Sequence, residues 1–356
     1  MRVSPAVLRG IEVCQDAAVR SFDVIVVTHN HRETVGACLR SLTALEGRPA
    51  TVVVVDNAST DESAAAADRF ADELPLRVVL NDENVGFSAA VNRALRTTRS
   101  AWVLLLNPDC ALRPGFVGTL FAGIEASGDV DRVGSATGKL RRARGGGLVE
   151  EPLLDAAGLV MTPAGRHFDR GSGESDGGRF DRPAWVFGGT GAATLFRREA
   201  LEDVCYPDGQ FLAESFFAFR EDAELAWRLQ LRGWRCLYVP GAVGVHRRGL
   251  RPERGRRQDP LANLHSVKNR FLLRMHCAGL GWHVRTFPWW LARDLAVVGA
   301  CLTVERSSLP GLAAAWRLRR DALARRRWVR GRARVAERRI VRWFRKGGWV
   351  EGVATT

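Results

Sequence analysis

The chain has 356 residues, of which 46% are hydrophobic and 26% are charged, and its formal net charge at pH 7 is +14. This length and apolar content suit one large domain or two ordinary ones and exclude a wholly disordered chain. The charge is uneven, because residues 246–346 hold 26 Lys and Arg against 6 Asp and Glu. Such a basic region favours an anionic partner, either nucleic acid or the phosphate-rich face of a membrane.

The seven cysteines are scattered without a CxxC pair, which argues against a disulfide framework or a zinc site. The first 22 residues lack the continuous apolar core of a signal peptide. No stretch reaches the roughly 18 uncharged apolar residues of a membrane-spanning helix. We therefore expect a cytoplasmic protein.

From residue 22 the sequence alternates between two kinds of segment. The runs FDVIVVTHN, TVVVVDNAST, LRVVLN and WVLLLNPD predict strands, and the segments between them carry apolar residues at helical spacing. Four strands with three intervening helices predict a mostly parallel α/β sheet with helices on both faces. Ligands of such sheets bind at the carboxyl ends of the strands, where THN, DNAST, NDENVGF and NPDC fall.

The second half is less regular. Residues from about 138 to 182 are rich in Gly, Arg, Asp and Pro and predict irregular loops with a short strand or two. AWVFGGTGAATLFRREAL predicts a strand entering a helix, EDAELAWRLQLRGW a helix stopped by Gly233, and CLYVPGAVGVH a strand. HRRGLRPERGRRQDP predicts an exposed loop, and residues 261–346 predict helices.

Several polar residues at the predicted strand ends have side chains suited to ligand binding. Asp56 and Asn57 can offer acceptors and donors to the edge of a nucleobase, with Thr28, Asn30 and Glu33 on the neighbouring loop. A structural alternative is that Asp56 and Ser59 cap a helix. Gly86 marks a close approach of the backbone, flanked by Asn84 and Asn92, although this stretch also fits an ordinary turn.

The motifs VIVVTHN, VVVVDNASTD, NVGFSAAVN, LLLNPD, GGTGAA and EDAELAWRL…GW…VGVH occur in this order. Together they resemble the family 2 glycosyltransferases with a GT-A fold, and within them the bacterial rhamnosyltransferase-like branch, over roughly residues 22–250. The resemblance implies a Rossmann-like α/β fold with a mostly parallel central sheet and a C-terminal basic helical extension. It divides the chain into an N-terminal extension (1–20), a catalytic domain (21–250), a basic Trp/Arg-rich helical region (251–346) and a tail (347–356).

The resemblance also implies a nucleotide-sugar site. Its donor-binding residues would be Thr28, Asn30, Glu33, Asp56, Asn57, Asn84, Gly86, Asn92 and Asp109. Trp185, Gly188 and Gly189 would contact the sugar between donor and acceptor, because small residues allow close approach and an aromatic face suits a sugar ring. Trp185 also fits a position in the protein core.

Asp109 matches the metal site of the family, and His246 matches a histidine that completes it. Here the motif is Asn107-Pro108-Asp109, with one carboxylate where many relatives have two or three. One or two protein carboxylates suffice for a divalent ion beside a diphosphate, so Mg or Mn is expected. An imidazole ligand suits Mn better than Mg.

Glu221 and Asp222 precede apolar residues at helical spacing, so we predict that they lie at a helix N-terminus. N-capping by Asp222 is the structural alternative. The family pattern instead makes Asp222 the general base, with Glu221 orienting the acceptor or serving as the alternative base. A single displacement of this kind inverts the anomeric configuration and needs no covalent intermediate.

The resemblance therefore predicts an inverting glycosyltransferase of cell-envelope or polysaccharide synthesis. The expected donor is dTDP-L-rhamnose, with UDP-hexoses as the alternative, and the expected acceptor is a glycan or a polyprenyl-linked sugar. Trp, Leu and Arg share the helices of residues 282–346, which favours docking on the anionic inner face of the membrane. Packing of these helices on the catalytic domain is the structural alternative.

Two other classes of function are less well supported by the sequence. A nucleic-acid-binding protein would explain the basic region, but the α/β part is mildly acidic and no nucleic-acid-binding module is visible, so no specific nucleic acid is expected. A non-catalytic scaffold has only the reduced motif at Asp109 in its favour, while Glu221, Asp222 and His246 argue against it.

Overall fold

The computed structural model describes residues 20–248, 260–346 and 348–353. The predicted N-terminal extension, apart from Arg20, and the predicted loop at 249–259 lie outside these residues. The first part consists of β1 (Phe22–Thr28), α1 (Arg32–Thr43), β2 (Thr51–Asn57), α2 (Ser63–Asp68), β3 (Leu76–Asn81), α3 (Phe87–Leu95) and β4 (Trp102–Leu106). These strands pair in parallel in the order β3-β2-β1-β4, which confirms the sequence prediction.

The next part contains more strand than the sequence predicts. It consists of β5 (Cys110–Leu112), α4 (Phe116–Glu125), β6 (Val133–Arg144), β7 (Val149–Ala156), β8 (Leu159–Met161) and β9 (His167–Asp169). The prediction of irregular loops with a short strand or two from 138 to 182 fits β8 and β9 but is wrong for the long strands β6 and β7. β6 lies inside the main sheet between β12 and β11. Its small residues hide the strand pattern. At Gly138 a Cβ atom would lie 2.1 Å from the carbonyl oxygen of Ala242, so close packing requires glycine.

The sheet is completed by strands from later in the chain. β10 (Ala184–Val186), β11 (Ala193–Arg197), α5 (Arg198–Asp203), α6 (Glu221–Arg232) and β12 (Arg235–His246) follow in sequence. The strand predicted from residue 184 is therefore two strands, because β10 pairs with β12 whereas β11 lies between β6 and β4. Gly233 ends α6 with φ 98, as predicted.

The C-terminal part is helical, as the sequence predicts. It consists of α7 (Pro260–Cys277), α8 (Leu280–Thr286), α9 (Trp289–Thr303), α10 (Leu309–Arg317), α11 (Arg319–Gly331) and α12 (Glu337–Val341), followed by β13 (Glu351–Gly352). β13 pairs with β10 at the edge of the main sheet, so the predicted tail contributes to the sheet.

The C-terminal helices share a hydrophobic core with the sheet. Leu272, Leu273, Trp282 and Phe344 belong to the same buried cluster as Trp227 of α6. Ala322 and Val329 of α11 and Ile340 of α12 also belong to this cluster. Packing on the catalytic domain, the structural alternative weighed above, is therefore observed for α7, part of α8, α11 and α12. Within the described residues, no helix combines the length and apolar content needed to cross a membrane.

Candidate active site

The loops after β1 and β2 are fastened to each other at the carboxyl edge of the sheet. Pairing of the two strands sets Thr28 beside Asp56. Asn30 adopts φ 59, and its Oδ1 accepts a hydrogen bond from the Thr60 backbone at 2.8 Å. The Nδ1 atom of His29 lies 2.7 Å from the carbonyl oxygen of Asn57. Asn30 therefore holds the first loop against the second.

Two buried oxygens at this edge, Asp56 Oδ1 and Thr28 Oγ1, have no hydrogen-bond partner among the residues that the structure describes. The other oxygen of Asp56 accepts a bond from the Ser59 backbone at 2.9 Å, which closes a turn. Helix α2 begins later, at Ser63, so Asp56 does not cap it. An unpaired buried acceptor is costly, and donor groups on the edge of a nucleobase would remove that cost.

Two side-chain amides hold the loop before α3 in place. Asn57 Nδ2 donates to the carbonyl of Gly86 at 3.2 Å, and Asn84 Oδ1 accepts from the Gly86 backbone at 3.0 Å. Gly86 has φ 85, and a Cβ atom there would lie 2.5 Å from the ring of Phe217. The glycine is thus required by the approach of Phe217, while Asn57 and Asn84 shape the loop.

Asn92 is an exception to the expected donor-binding set. Its side chain is 0% exposed. Its Oδ1 accepts bonds from the backbones of Phe211 and Leu212, and its Nδ2 donates to the Leu212 carbonyl and to Glu214. With both ends of the amide occupied and no exposed surface, Asn92 fixes the segment 211–214 and cannot contact the donor, which corrects the prediction.

The expectation for Trp185, Gly188 and Gly189 is also corrected. Trp185 is 3% exposed in the middle of β10 and cannot present its face to a sugar. A Cβ atom at Gly188 would lie 2.4 Å from Ala226 Cβ, and one at Gly189 would lie 2.2 Å from Thr194 Oγ1. These glycines permit close packing within the protein, so their small size does not indicate a sugar site.

Asp109 and His246 come together as the sequence predicts. β5 and β12 pair with Cys110 opposite His246, which brings His246 Nε2 to 3.2 Å from Asp109 Oδ1. Adjacent ligands of an octahedral ion at about 2.1 Å lie roughly 3.0 Å apart, so this pair fits a shared divalent cation. No group of three such ligands occurs within the described ranges.

Asp155 at the end of β7 is a partner of His246 that the sequence does not reveal. Its Oδ2 lies 2.8 Å from His246 Nδ1, and its Oδ1 lies 3.0 Å from Arg248 Nε. Arg248 in turn contacts Asp169 of β9 at 2.7 Å. The side chains from Asp109 through His246, Asp155 and Arg248 to Asp169 thus form a continuous chain of alternating charge.

This arrangement sets the protonation of the pair. Burial disfavours a charged imidazole, but Asp109 and Asp155 on either side raise the pKa of His246 to about 9. Burial likewise disfavours ionised carboxyls, yet His246 lowers the pKa of Asp109, and His246 together with Arg248 lowers that of Asp155. An ionised Asp109 is the form that a cation requires, whereas His246 would first have to release its proton, because only a neutral imidazole binds a metal ion.

His31 and Glu33, at the start of α1, lie near this pair. Burial lowers the pKa of His31, while the charge of Asp109 acts in the opposite direction. Glu33 is exposed, and its Oε2 lies 2.8 Å from a guanidinium nitrogen of Arg247, the residue after His246. Glu33 therefore lies in the first turn of α1 and not on the loop where the sequence predicted it, and it links α1 to the end of β12.

Glu221 and Asp222 form the first turn of α6, as predicted. Asp222 does not cap the helix, because the N-cap position belongs to Arg220. Its Oδ2 accepts a bond from the Gly191 backbone at 3.2 Å, and its Oδ1 accepts one from Ala223 at 2.7 Å. Glu221 is buried, and its Oε2 has no hydrogen-bond partner within the described part of the chain.

The two carboxyls resist ionisation. Burial raises the pKa of Asp222, and the negative charge of Asp169 raises it further. Burial also raises the pKa of Glu221, and the adjacent Asp222 adds to the effect. Raised carboxyl pKa values bring these groups closer to the range in which a side chain can accept a proton at neutral pH.

The sheet and the acidic sites at its carboxyl edge define a glycosyltransferase of the GT-A fold. The sequence model described as glycosyl transferase family 2 matches residues 23–205. The chain belongs to this family, and the predicted fold and enzyme class are confirmed. N-acetylglucosaminyl-diphospho-decaprenol L-rhamnosyltransferase of Mycobacterium tuberculosis is 28% identical over 298 residues, covering 77% of this chain and 90% of the relative. The resemblance to the rhamnosyltransferase-like branch is confirmed by this match.

More distant matches agree on the class. Poly-beta-1,6-N-acetyl-D-glucosamine synthase of Staphylococcus aureus is 23% identical over 224 residues, covering 62% of this chain and 48% of the relative. TarS of S. aureus superposes with a TM-score of 0.52 at 17% identity, covering 87% of this chain and 90% of that chain. Mannosyltransferase PcManGT from Pyrobaculum calidifontis, solved with GDP-Man and Mn²⁺, gives 0.50 at 20% identity, covering 86% and 84%. At these identities the solved structures establish the fold alone.

Proposed function

We propose that the protein is an inverting glycosyltransferase that moves L-rhamnose from dTDP-rhamnose to a hydroxyl of a polyprenyl-linked glycan. The observation that carries this proposal is the separation of two acidic sites at one edge of the sheet. Asp109 pairs with His246, whereas Asp222 lies apart on α6. The chain of ion pairs through Asp155 and Arg248 ends at Asp169, whose charge raises the pKa of Asp222. Such a division suits a donor diphosphate at one site and proton removal at the other.

The donor nucleoside would lie at the ends of β1 and β2. Support comes from the unpaired oxygens of Thr28 and Asp56, with Asn30, Asn57 and Asn84 holding the surrounding loops in place. Two solved relatives of the same fold bind UDP-GlcNAc and GDP-Man. The similarity to the mycobacterial N-acetylglucosaminyl-diphospho-decaprenol L-rhamnosyltransferase favours rhamnose and a diphospho-polyprenol acceptor for this chain.

In the proposed reaction, Asp222 accepts the proton of the acceptor hydroxyl as that oxygen bonds to the anomeric carbon. The bond from this carbon to the diphosphate breaks on the opposite face, and the nucleoside diphosphate leaves. The Gly191 backbone holds Asp222 Oδ2 in place, and Glu221 orients the acceptor. Asp109 and His246 would hold Mg²⁺ or Mn²⁺, which neutralises charge on the leaving diphosphate when bound.

We further propose that α8 meets an anionic membrane surface that carries the acceptor. Leu280 and Val284 are 75% and 65% exposed and lie four residues apart on one face of the helix, and Phe287, just past its end, is 55% exposed. Arg285 of the same helix can meet lipid phosphates. Not every tryptophan of the region can do so, because Trp282 is buried in the core.

The donor assignment is tested by incubating the purified protein with dTDP-rhamnose, UDP-hexoses and GDP-mannose, each with a diphospho-polyprenol-linked sugar. The measured quantity is acceptor-dependent release of nucleoside diphosphate, with and without EDTA. We expect release with dTDP-rhamnose and its loss in EDTA. Release with a UDP-hexose alone would mean that the donor is a UDP-hexose and not dTDP-rhamnose. No release with any donor would overturn the transferase proposal.

The membrane surface is tested separately by sedimentation with vesicles. We expect the protein to bind vesicles rich in phosphatidylglycerol more strongly than vesicles of phosphatidylcholine. The double substitution Leu280→Ser with Val284→Ser should weaken this binding. Equal sedimentation of the wild-type and substituted proteins would contradict a role for α8.

A further inference from the structure

The segment that leads into α6 has an unusual backbone. Phe217, Phe219 and Arg220 adopt φ values of 65°, 70° and 72°. Residues with a Cβ atom rarely take such left-handed values, and segments that contain several of them persist only when their surroundings hold them. Asp222 is the second residue after Arg220. Its position therefore depends on the groups that hold this segment.

Helix α7 supplies most of these groups. The side chain of Asn269 is 0% exposed. Its Nδ2 lies 2.9, 2.8 and 2.7 Å from the carbonyl oxygens of Phe216, Ala218 and Phe219. The neighbouring Lys268 is also buried, and its ammonium group donates to the carbonyl of Ser215 at 2.6 Å. These two side chains lie against the backbone carbonyls of residues 215, 216, 218 and 219, which are outside any α-helix or strand.

The same segment also touches the loop before α3. The Ser88 backbone donates to the carbonyl of Phe217 at 3.1 Å, and the Phe217 ring leaves no room for a Cβ atom at Gly86. The Phe217 ring is stacked on His265 of α7, with centroids 4.6 Å apart and planes at 8°. Phe217 is thus held jointly by α7 and by the loop that contains Gly86.

We propose that α7 positions the general base, and that Asn269 is the main positioning residue. The inference rests on the proposed function, because it assumes that Asp222 removes the acceptor proton. Asn269 acts through the backbone of residues 216–219 and does not contact substrate. Because Phe217 also packs on Gly86, a change in the proposed donor loop reaches the same segment. The C-terminal helical region is then part of the catalytic unit.

The test is the substitution Asn269→Leu, which keeps a similar volume and removes the amide donors. A misplaced catalytic group typically costs on the order of 100-fold in rate for a displacement of about 1 Å. We expect kcat to fall by roughly 10-fold to 100-fold, with little change in the KM for the donor. A kcat equal to that of the wild type, or a change in KM with kcat unaltered, would overturn the proposal.

A matched control disturbs a different contact of the same helix, α7. Arg274 of α7 forms an ion pair with Asp294 of α9 at 2.5 Å, away from residues 215–220. Asp294→Asn breaks that pair, and we expect it to leave kcat unchanged even if it lowers Tm. A similar fall in kcat in both variants would mean that general loosening of the helices explains the loss, and the positioning role would be rejected.

A second measurement does not depend on turnover. Amide hydrogen exchange of the peptide covering residues 215–222 should be faster in Asn269→Leu than in the wild type or in Asp294→Asn. Equal exchange in all three would overturn the inference even if the enzyme is inactive, so its failure is distinguishable from failure of the proposed function. If Asn269→Leu does not fold, Lys268→Met removes the neighbouring contact, and the same two measurements apply to it.

Discussion

His246 Nδ1 lies 2.8 Å from Asp155 Oδ2, and this contact fixes the direction in which the other ring nitrogen points. Nε2 is thereby held 3.2 Å from Asp109 Oδ1. Histidines that bind metal ions commonly donate their second ring nitrogen to a carboxylate in this way, which sets the orientation and basicity of the ring. Asp155 is therefore expected to support cation binding without contacting the ion.

The substitution Asp155→Asn should weaken Mn²⁺ binding by about 10-fold to 100-fold, because partners of this kind typically contribute that much affinity. The quantity is measured by titrating Mn²⁺ in the presence of dTDP and following free Mn²⁺ by electron paramagnetic resonance. Asp169→Asn is the matched control, since Asp169 shares Arg248 but does not contact His246. Equal Mn²⁺ affinity in Asp155→Asn and the wild type would refute this role.

Replacing the buried Glu221 by a neutral residue should stabilise the protein. Its pKa is raised by burial, so its contribution to stability is present below the pKa of the unfolded state and is lost as pH rises through the folded-state pKa. Glu221→Gln should therefore raise the free energy of unfolding at pH 8 by at least about 1 kcal/mol, since one pKa unit corresponds to about 1.4 kcal/mol. At pH 4 the difference should nearly vanish. Urea unfolding at the two pH values measures it, and an equal or lower stability of the variant at pH 8 would contradict it.

The pH dependence of activity should report the base. Burial and the charge of Asp169 raise the pKa of Asp222, and a general base must be deprotonated to act. The acid limb of kcat/KM is therefore expected well above the ordinary Asp pKa of about 3.9. Asp169→Asn removes one negative charge and should move this limb to lower pH. A limb that stays in place, or moves up, would argue against Asp222 as the titrating group.

The N-terminal strands and helices follow directly from local patterns, whereas the roles of Asp109, His246, Glu221 and Asp222 are predicted only through the resemblance to the family. Val52 to Val55 make a strand visible without any partner. Asp109 follows the strand that ends at Leu106, and His246 is the last residue of β12. The interior strand β6 escapes prediction because its residues are small. Position 138 requires glycine because the carbonyl of Ala242 lies against it in the folded chain, and the sequence does not show this contact.

The supporting residues could not be predicted because their roles arise from long-range contacts. Asp155 meets His246 across 91 positions of sequence, and Asn269 meets Phe216 across 53. For Asn92 and Trp185 the sequence prediction errs in the opposite direction, because it gives a binding role to residues that are structural. Their residue types suit ligand binding, but burial and internal contacts give them structural roles that composition does not reveal.

The proposed mechanism depends most on Asp222 as the base, and one comparison of two proteins tests this role directly. Acceptor-dependent release of nucleoside diphosphate is measured for the wild type and for Asp222→Asn, together with the dissociation constant of the donor. We predict that the release rate falls by about 10²-fold to 10⁴-fold, the usual contribution of a general base, while donor affinity is retained. Release by Asp222→Asn at a rate near that of the wild type would contradict the account.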